Sequence, residues 1–186
     1  MKKLVIITAP SGAGKSSIAH YLLNQYPDKL AFSISAATRA PRGDEQNGRE
    51  YYFISIDDFR KKIEQNQFIE WEMVYEGKYY GTLKSEIERI WNAGKTPLLD
   101  IDVKGAIRVQ QQFAKNCLSV FIQPPSVEAL RERLQKRNTD APDNIETRVN
   151  KASYELSFKN NFSKIIVNAD FSKACQEVEA AVLRFL

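Results

Sequence analysis

A glycine-rich run of small residues, Ala-Pro-Ser-Gly-Ala-Gly-Lys-Ser at positions 9–16, directly follows the apolar segment Leu4-Val5-Ile6-Ile7. The apolar segment predicts a short buried strand, and the residues after the run have the spacing of a helix. In that context the backbone N–H groups of the loop and the positive end of the helix can surround phosphate groups. Lys15 would then reach the terminal phosphates and Ser16 would ligate Mg²⁺. The run therefore predicts a P-loop that binds a nucleoside triphosphate.

We expect the whole loop and the first turn of its helix to contact the nucleotide. Ala9 stands where such loops usually begin with glycine, and alanine is tolerable there if its φ is negative. The alternative is a strand-to-helix turn that binds nothing. The residues expected to contact ATP here are Ala9, Pro10, Ser11, Gly12, Ala13, Gly14, Lys15, Ser16 and Ser17.

Two carboxylates follow a second apolar segment. Asp100 and Asp102 end the run that begins at Leu98, and ligands in open α/β sheets lie beyond the carboxyl ends of the strands. Strand alternation places both acids on one side. One of them could hold Mg²⁺ through water while the other contacts a substrate. The alternative is a solvated strand end that caps the next helix.

Two further patterns are typical of nucleotide recognition. Arg39 and Arg42 lie three residues apart in a proline-containing loop, where they could clamp a phosphate with bidentate hydrogen bonds. Glu70 lies between apolar neighbours, and a carboxylate buried there needs donors. Guanine supplies two donors on one edge whereas adenine does not, so Glu70 would favour guanine. Taken alone, Glu70 could also be an ordinary exposed strand residue.

Composition excludes several classes of protein. The chain has 186 residues, 43% of them hydrophobic, a net charge of +4 and two cysteines, which suits one globular domain with reduced thiols. No apolar run approaches the roughly 20 residues of a membrane span. The arginines are scattered rather than grouped, which suits a small polyanion better than a duplex. We expect a cytoplasmic protein without nucleic-acid or membrane partners, and its oligomeric state stays open.

Strand-like and helix-like segments alternate from about residue 84 onward, which predicts a parallel sheet covered on both faces. Between residues 32 and 83 the segments are shorter and are separated by polar turns, for example Phe32–Ser35 and Phe68–Trp71. This region predicts a small, mixed, largely antiparallel insertion. A long helix is predicted at about 145–160.

The ordered set of motifs resembles guanylate kinase over nearly the whole chain. Any one of these motifs is weak evidence for the family, but their combination in this order is far more specific. The segments that carry the resemblance are the P-loop, Phe32–Ser35, Thr38–Gly43, Gly48–Phe53, Phe68–Trp71, Tyr79–Gly81, Leu99–Asp102, Pro124–Ser126 and Ile166–Asn168.

The resemblance implies the α/β fold of P-loop nucleoside monophosphate kinases, with a parallel sheet flanked by helices. It implies one domain over 1–186, with a core at about 1–31, 84–125 and 164–186. A GMP-binding insertion would cover about 32–83 and a helical lid about 126–163. The implied reaction is the reversible transfer of the γ-phosphoryl group of ATP to GMP, with Mg²⁺ as cofactor.

The resemblance also implies roles for individual side chains. Catalytic roles are expected for Lys15, Arg42, Arg137 and Arg148. Beyond the P-loop, ATP would contact Arg133, Arg137 and Asn168, and Mg²⁺ would be held at Ser16 and Asp100. The residues expected to bind GMP are Ser35, Arg39, Arg42, Tyr51, Glu70, Tyr80, Thr82, Asp100 and Asp102.

Three alternatives remain at this level. A regulatory GTPase is suggested by Asp102 to Gly105 and by Asn150-Lys151, although the latter lies in a helical pattern and lacks its final aspartate. A non-catalytic interaction module is a second possibility, but Gly14-Lys15-Ser16 is intact. A nucleic-acid binder is suggested only by the basic isoelectric point of about 9.0.

Overall fold

The computed structural model describes residues 2–136 and 142–186, and a five-stranded parallel sheet forms its centre. Its strands are β1 Leu4–Thr8, β2 Leu30–Phe32, β7 Thr96–Asp100, β8 Cys117–Gln123 and β9 Lys164–Val167. Their order is β2-β7-β1-β8-β9, and every neighbouring pair runs parallel. β1 and β7 are therefore neighbours, so the residues that follow them emerge side by side at one edge.

Helices cover both faces of this sheet, as the alternating pattern predicts. Val5 and Ile7 of β1 face a core formed with α1 Lys15–Gln25 and α7 Phe171–Phe185. Leu4 and Ile6 face the opposite core, formed with α3 Lys84–Asn92 and α4 Val103–Phe113. Because strand side chains alternate, one fully buried apolar strand serves both cores.

Residues 35–83 contain a second, four-stranded sheet. Its strands are β3 Ser35–Ala37, β4 Tyr51–Phe53, β5 Phe68–Tyr75 and β6 Lys78–Leu83, in the order β4-β3-β6-β5. β3 and β4 are parallel and the other pairs are antiparallel, so the sheet is mixed as predicted. Helix α2, Ile56–Glu64, covers it with the fully buried Phe59, whose ring stacks on Phe68 at 4.3 Å.

The strand predicted at Phe32–Ser35 is divided between the two sheets. Phe32 pairs with Leu98 in the central sheet, whereas Ser35 begins β3 in the second sheet. The chain crosses at Ile34, whose N–H donates to the buried carboxylate of Glu86 at 3.0 Å. A side-chain acceptor thus satisfies backbone that leaves one sheet before it joins the next.

Two helices, α5 Val127–Lys136 and α6 Pro142–Leu156, form a layer beside the central sheet. The prediction of a helix at about 145–160 is wrong at both ends. The chain leaves the helix after Leu156 and makes a short 3-10 turn at Lys159–Asn161. Within the described part of the chain, no helix has the length and apolarity that crossing a membrane requires.

Candidate active site

The P-loop connects β1 to α1 with a tight backbone turn. Gly12 and Gly14 have φ of +88° and +96°, a conformation that favours glycine. Ala9 keeps a negative φ and is buried, as its place in the loop requires. The loop, Lys15 and Ser16 line a cavity of about 280 Å³, which we call the loop cavity. The N-terminus of α1 therefore opens onto a space suited to phosphates.

Asp100 lies against the P-loop because β7 pairs with β1, where it is opposite Ile7. Its Oδ1 is ion-paired with Nζ of Lys15, and its Oδ2 accepts a hydrogen bond of 2.7 Å from Ser16 Oγ. Burial lowers the pKa of Lys15 to about 8, and the charges of Asp102 and Glu155 oppose that shift. These contacts bring together three residues to which sequence patterns assign phosphate or metal binding.

A second space, the central cavity, lies between the P-loop and the mixed sheet and has a volume of about 360 Å³. It collects nearly all of the side chains predicted to bind GMP. Lys15 lines this cavity as well as the loop cavity, so the two spaces meet at its side chain. The predicted residues that line the central cavity are Ser35, Arg39, Arg42, Tyr51, Glu70, Tyr80, Asp100 and Asp102.

Glu70 projects into this cavity from β5 and is only 7% exposed. Thr82 lies opposite it on β6 and donates a hydrogen bond of 2.7 Å from Oγ1 to Oε1. Burial raises the pKa of Glu70 to about 7, although the Thr82 hydrogen bond favours the charged form. A buried carboxylate with one side-chain donor still has lone pairs that a ligand can use.

Asp102 approaches Glu70 from the central sheet. Its Oδ1 accepts the N–H of Gly105 at 2.8 Å and thereby caps α4, as the capping alternative predicts. A Cβ at Gly105 would lie 2.7 Å from Oε2 of Glu70 and 3.2 Å from Oδ1 of Asp102. Glycine at this position therefore allows the first turn of α4 to pack closely against both carboxylates.

Arg39 also lines the central cavity, with its donors already engaged. Its Nη1 and Nη2 donate to the carboxylate of Glu45 at 2.5 and 2.8 Å, and its Nε donates to Tyr80 Oη at 3.2 Å. The guanidinium carbon lies 4.9 Å from the ring centre of Tyr51. The side chain of Arg39 is only 8% exposed, so its orientation is fixed by packing as well as by charge.

Arg42 lines the same cavity and is joined to this cluster through its backbone. Its N–H donates to Oε2 of Glu45 at 2.8 Å, and the N–H of Glu45 donates to its carbonyl at 3.1 Å. The hydrogen bonds of Arg39 and Arg42 hold the pKa of Glu45 at about 2. One ionised carboxylate thus organises both arginines of the loop.

Asn168 and Arg133 lie on the far side of the P-loop. Asn168 Nδ2 donates to the carbonyl of Ala13 at 2.8 Å, and Arg133 Nη2 donates to the carbonyl of Asn168 at 2.8 Å. The buried Oδ1 of Asn168 has no hydrogen-bond partner among the described residues. Both residues line a shallow cavity with Gly12 and Gly14, separate from the central cavity.

The remaining predicted residues line neither of the two cavities or lie outside the described residues. Ser17 is exposed in the first turn of α1, where it lines neither the central nor the loop cavity. Arg148 lies on α6 and also lines neither. Arg137 lies outside the described residues, so its predicted role stays a prediction.

Sequence patterns missed Glu45 and Glu72. Glu72 is two residues after Glu70, so strand alternation could have placed both carboxylates on one face. Its Oε2 is buried without a hydrogen-bond partner in the described ranges, and burial next to Asp102 raises its pKa to about 7. No local pattern marks Glu45, because its importance comes from folding of the loop onto Arg39.

Comparison with known proteins agrees with this geometry. The family model described as guanylate kinase matches residues 1–184. A guanylate kinase of Porphyromonas gingivalis is 49% identical over 186 residues, which cover 100% of this chain and 99% of that protein. One of Bacteroides thetaiotaomicron is 47% identical over 184 residues, covering 99% of this chain and 90% of the relative.

A solved structure of a guanylate kinase also resembles this chain, at lower sequence identity. The crystal structure of guanylate kinase from Anaplasma phagocytophilum superposes with a TM-score of 0.77 and 28% identity, covering 98% of this chain and 84% of the other. With an intact P-loop, a carboxylate pocket and an arginine loop arranged around one cavity, the chain belongs to the guanylate kinase family.

Proposed function

We propose that the central cavity binds GMP, that the P-loop binds ATP, and that the phosphoryl group is transferred where the two sites meet. As a member of its family the chain is a nucleoside monophosphate kinase, which phosphorylates GMP with ATP. The observation that carries the assignment of sites is the position of Lys15, which lines both cavities. A cation at that junction can interact with both polyanions.

Glu70 and Asp102 would recognise the base. Guanine presents N1–H and a 2-amino group on one edge, and the buried carboxylate of Glu70 has free lone pairs to accept them. Adenine has an acceptor and a C–H on the corresponding edge, so it would leave a buried charge without donors. Asp102 adds a second acceptor, and Thr82 holds Glu70 in place.

Arg39, Arg42, Tyr51 and Tyr80 would hold the GMP phosphate at the opposite end of the cavity. Arg39 already shares its charge with Glu45, so Arg42 supplies most of the neutralising charge, and the tyrosine hydroxyls can donate to the phosphate oxygens. This division places the base at one end of the cavity and the reacting phosphate at the other. The phosphate would thereby be directed towards Lys15.

The residues next to the P-loop fit Mg²⁺. Ser16 Oγ and Asp100 Oδ2 are oxygen donors 2.7 Å apart, and oxygen ligands are the kind that Mg²⁺ prefers. We propose that these two residues hold the ion directly or through water. When bound, Mg²⁺ would neutralise phosphate charge during transfer.

Asn168 would contact the adenine of ATP, because its buried Oδ1 lacks a hydrogen-bond partner among the described residues and could accept from an amino group. Arg133 would remain beside it. Glycine at position 14 lets the Asn168 side chain approach the P-loop, since a Cβ there would come within 2.4 Å of Asn168 Nδ2.

The chemical step needs no general base. An oxygen of the GMP phosphate, already anionic at neutral pH, forms a bond to the γ-phosphorus of ATP, and the bond from that phosphorus to the bridging oxygen breaks to release ADP. The protein therefore has to position two polyanions and neutralise their charge. Lys15, Arg42, Arg137 and Arg148 are the residues we propose for that task.

We further propose that residues 32–83 act as a GMP-binding insertion and residues 126–163 as a lid, on a core formed by the rest of the chain. The separate mixed sheet and the α5–α6 layer on either side of the central cavity support this division. Closure of both would exclude water and limit hydrolysis of ATP. The free buried thiols of Cys117 and Cys175 support a cytoplasmic location.

A coupled assay of ADP formation tests the proposed function. With ATP and Mg²⁺, we expect turnover with GMP to exceed turnover with AMP, UMP or CMP by at least about 10³ in kcat/KM, because none of the other bases presents two adjacent donors to Glu70. Removing Mg²⁺ with EDTA should abolish the reaction. Equal use of AMP and GMP would contradict the assignment of Glu70 and Asp102.

Glu45→Gln tests the role of the arginine loop. Neutralising Glu45 weakens the charge-assisted hydrogen bonds that fix Arg39, which we expect to cost about 1.5 kcal/mol, or tenfold in KM for GMP. Steady-state kinetics should show kcat and KM for ATP changed much less. The matched control is Glu50→Gln, since Glu50 lies in the same loop but pairs with the exposed Arg49. A lower KM for GMP would instead mean that Glu45 competes with the phosphate.

A further inference from the structure

Lys151 lies on α6 at the junction of the central cavity and the loop cavity, and it lines both. Of the cationic side chains in residues 2–136 and 142–186, only Lys15 and Lys151 do so. They approach the junction from different elements, since Lys15 begins the helix of the P-loop and Lys151 belongs to the α5–α6 layer. The junction thus has a cation on each side.

The packing of α6 determines where Lys151 points. Val149 and Ala152 are buried in the core beside the central sheet, which fixes the rotation of the helix. Positions 148, 151 and 155 are spaced by three and four residues, so they lie on one face of α6, next to the face that carries Val149 and Ala152. Arg148, which family resemblance relates to the ATP phosphates, is therefore followed one turn later by a second cation.

The carboxylates around Lys151 hold it weakly. Its Nζ lies 3.7 Å from Oε1 of Glu155, beyond hydrogen-bond distance, and its side chain is 48% exposed. Asp102 lines both cavities at this junction, and Glu72 lines the central cavity. Among the described residues, negative charge keeps the ammonium group near the cleft, and its 3.7 Å ion pair with Glu155 is loose enough for a phosphate to displace.

We propose that Lys151 is a further catalytic residue, which binds the phosphoryl group during its transfer between ATP and GMP. This rests on the proposed function. As the bond from GMP oxygen to γ-phosphorus forms and the bond to the leaving ADP oxygen breaks, negative charge lies on the phosphoryl oxygens. Lys15 neutralises that charge from the P-loop and Lys151 from α6. Lys151 donates hydrogen bonds throughout and neither gains nor loses a proton.

The sequence around Lys151 also has a different interpretation, as part of a GTPase element. Asn150-Lys151 is similar to a guanine-binding element of GTPases, but in the structure both residues lie within a helix rather than after a strand. The helix directs the lysine towards phosphates at the junction, whereas the GTPase element contacts a base.

Lys151→Met tests this inference in the full-length protein. We expect kcat to fall at least tenfold, within the range for losing one preorganised charge contact, while KM for GMP and ATP stays within about threefold. Lys151→Arg should restore part of kcat. The melting temperature should stay at the wild-type value, since the side chain is half exposed and only loosely paired.

Lys104→Met is the matched control. Lys104 is 53% exposed and lies 3.9 Å from Oε1 of Glu72, so its exposure and pairing resemble those of Lys151. It lines only the small side cavity between α4 and α6, not the junction. We expect its kcat to stay within about twofold of wild type.

Binding of a bisubstrate analogue, adenosine and guanosine joined by five phosphates, provides a second readout. Calorimetry should show that Lys151→Met weakens this analogue at least tenfold, and GMP alone less than threefold, since only the analogue places phosphate at the junction. An unchanged kcat, an equal loss in Lys104→Met, or a change confined to KM would overturn the proposal. A wild-type protein that does not phosphorylate GMP would instead contradict the proposed function itself.

Discussion

Replacing Lys15 by methionine should lower kcat by about 10³ while leaving a folded protein, because one preorganised charge at the site of transfer is lost. Lys15 lines both cavities and is ion-paired with Asp100, so its ammonium group is positioned before substrates bind. Methionine keeps most of the length and packing of the side chain. The coupled assay at saturating ATP and GMP measures the effect.

Two comparisons show whether that loss is specific. Lys173→Met removes an exposed lysine in the first turn of α7, and it should leave kcat unchanged. Circular dichroism and thermal unfolding should show that Lys15→Met is folded. A Lys15→Met protein with more than a tenth of wild-type turnover would remove Lys15 from the mechanism.

Glu70→Gln should lower kcat/KM for GMP by about 10³, an effect of the same size as that of Lys15→Met on kcat. The glutamine amide places donors where guanine also presents donors, so one hydrogen bond is replaced by repulsion. KM for ATP should change by less than about threefold, because Glu70 lines the central cavity and not the loop cavity. Equal losses for both substrates would contradict base recognition by Glu70.

The same substitution should stabilise the protein at neutral pH. Burial raises the pKa of Glu70 from 4.5 to about 7. Between these values the native state binds more protons than the unfolded state, so the Glu70 contribution lowers stability as pH rises through this window. A shift of this size corresponds to roughly 3 kcal/mol, the penalty for the buried carboxylate above pH 7.

Urea unfolding at pH 5 and pH 8 measures this contribution. The stability of Glu70→Gln relative to wild type should increase by roughly 1 to 3 kcal/mol between the two pH values, since only wild type ionises at this position. Glu64→Gln, in an exposed position on α2, serves as the control without such a change. A gain in stability with a loss of GMP use would show that the charge is retained for function at the expense of stability.

The P-loop and the order of the motifs are properties that sequence reveals directly. Small residues followed by Lys15 and Ser16 act through backbone geometry within a few residues, so their local pattern predicts their local structure. The fully apolar strands likewise predict a parallel sheet buried on both faces, because period and burial are encoded along each segment. The prediction of one strand at Phe32–Ser35 is less accurate, because the sheet that each of these residues joins depends on tertiary pairing.

Contacts between residues that are distant in the sequence could not be predicted in this way. Asp100 meets Lys15 across 85 residues because β7 pairs with β1, and sequence spacing carries no information on strand order. Glu45 organises Arg39 and Arg42 only once their loop has folded back on itself. The sequence identifies the two arginines as candidates, but it does not show that the carboxylate of Glu45 is already paired with Arg39.

The family and the parallel sheet can be inferred from the sequence alone, because both depend on local patterns and their order, and the same patterns identify candidate residues for a two-nucleotide site. The tertiary structure sets which of those candidate residues share a cavity. It placed Glu70 beside Asp102, which the missing side chain of Gly105 permits. It also turned Lys151 towards the P-loop, because burial of Val149 and Ala152 sets the rotation of α6 in a way that helical spacing alone leaves free.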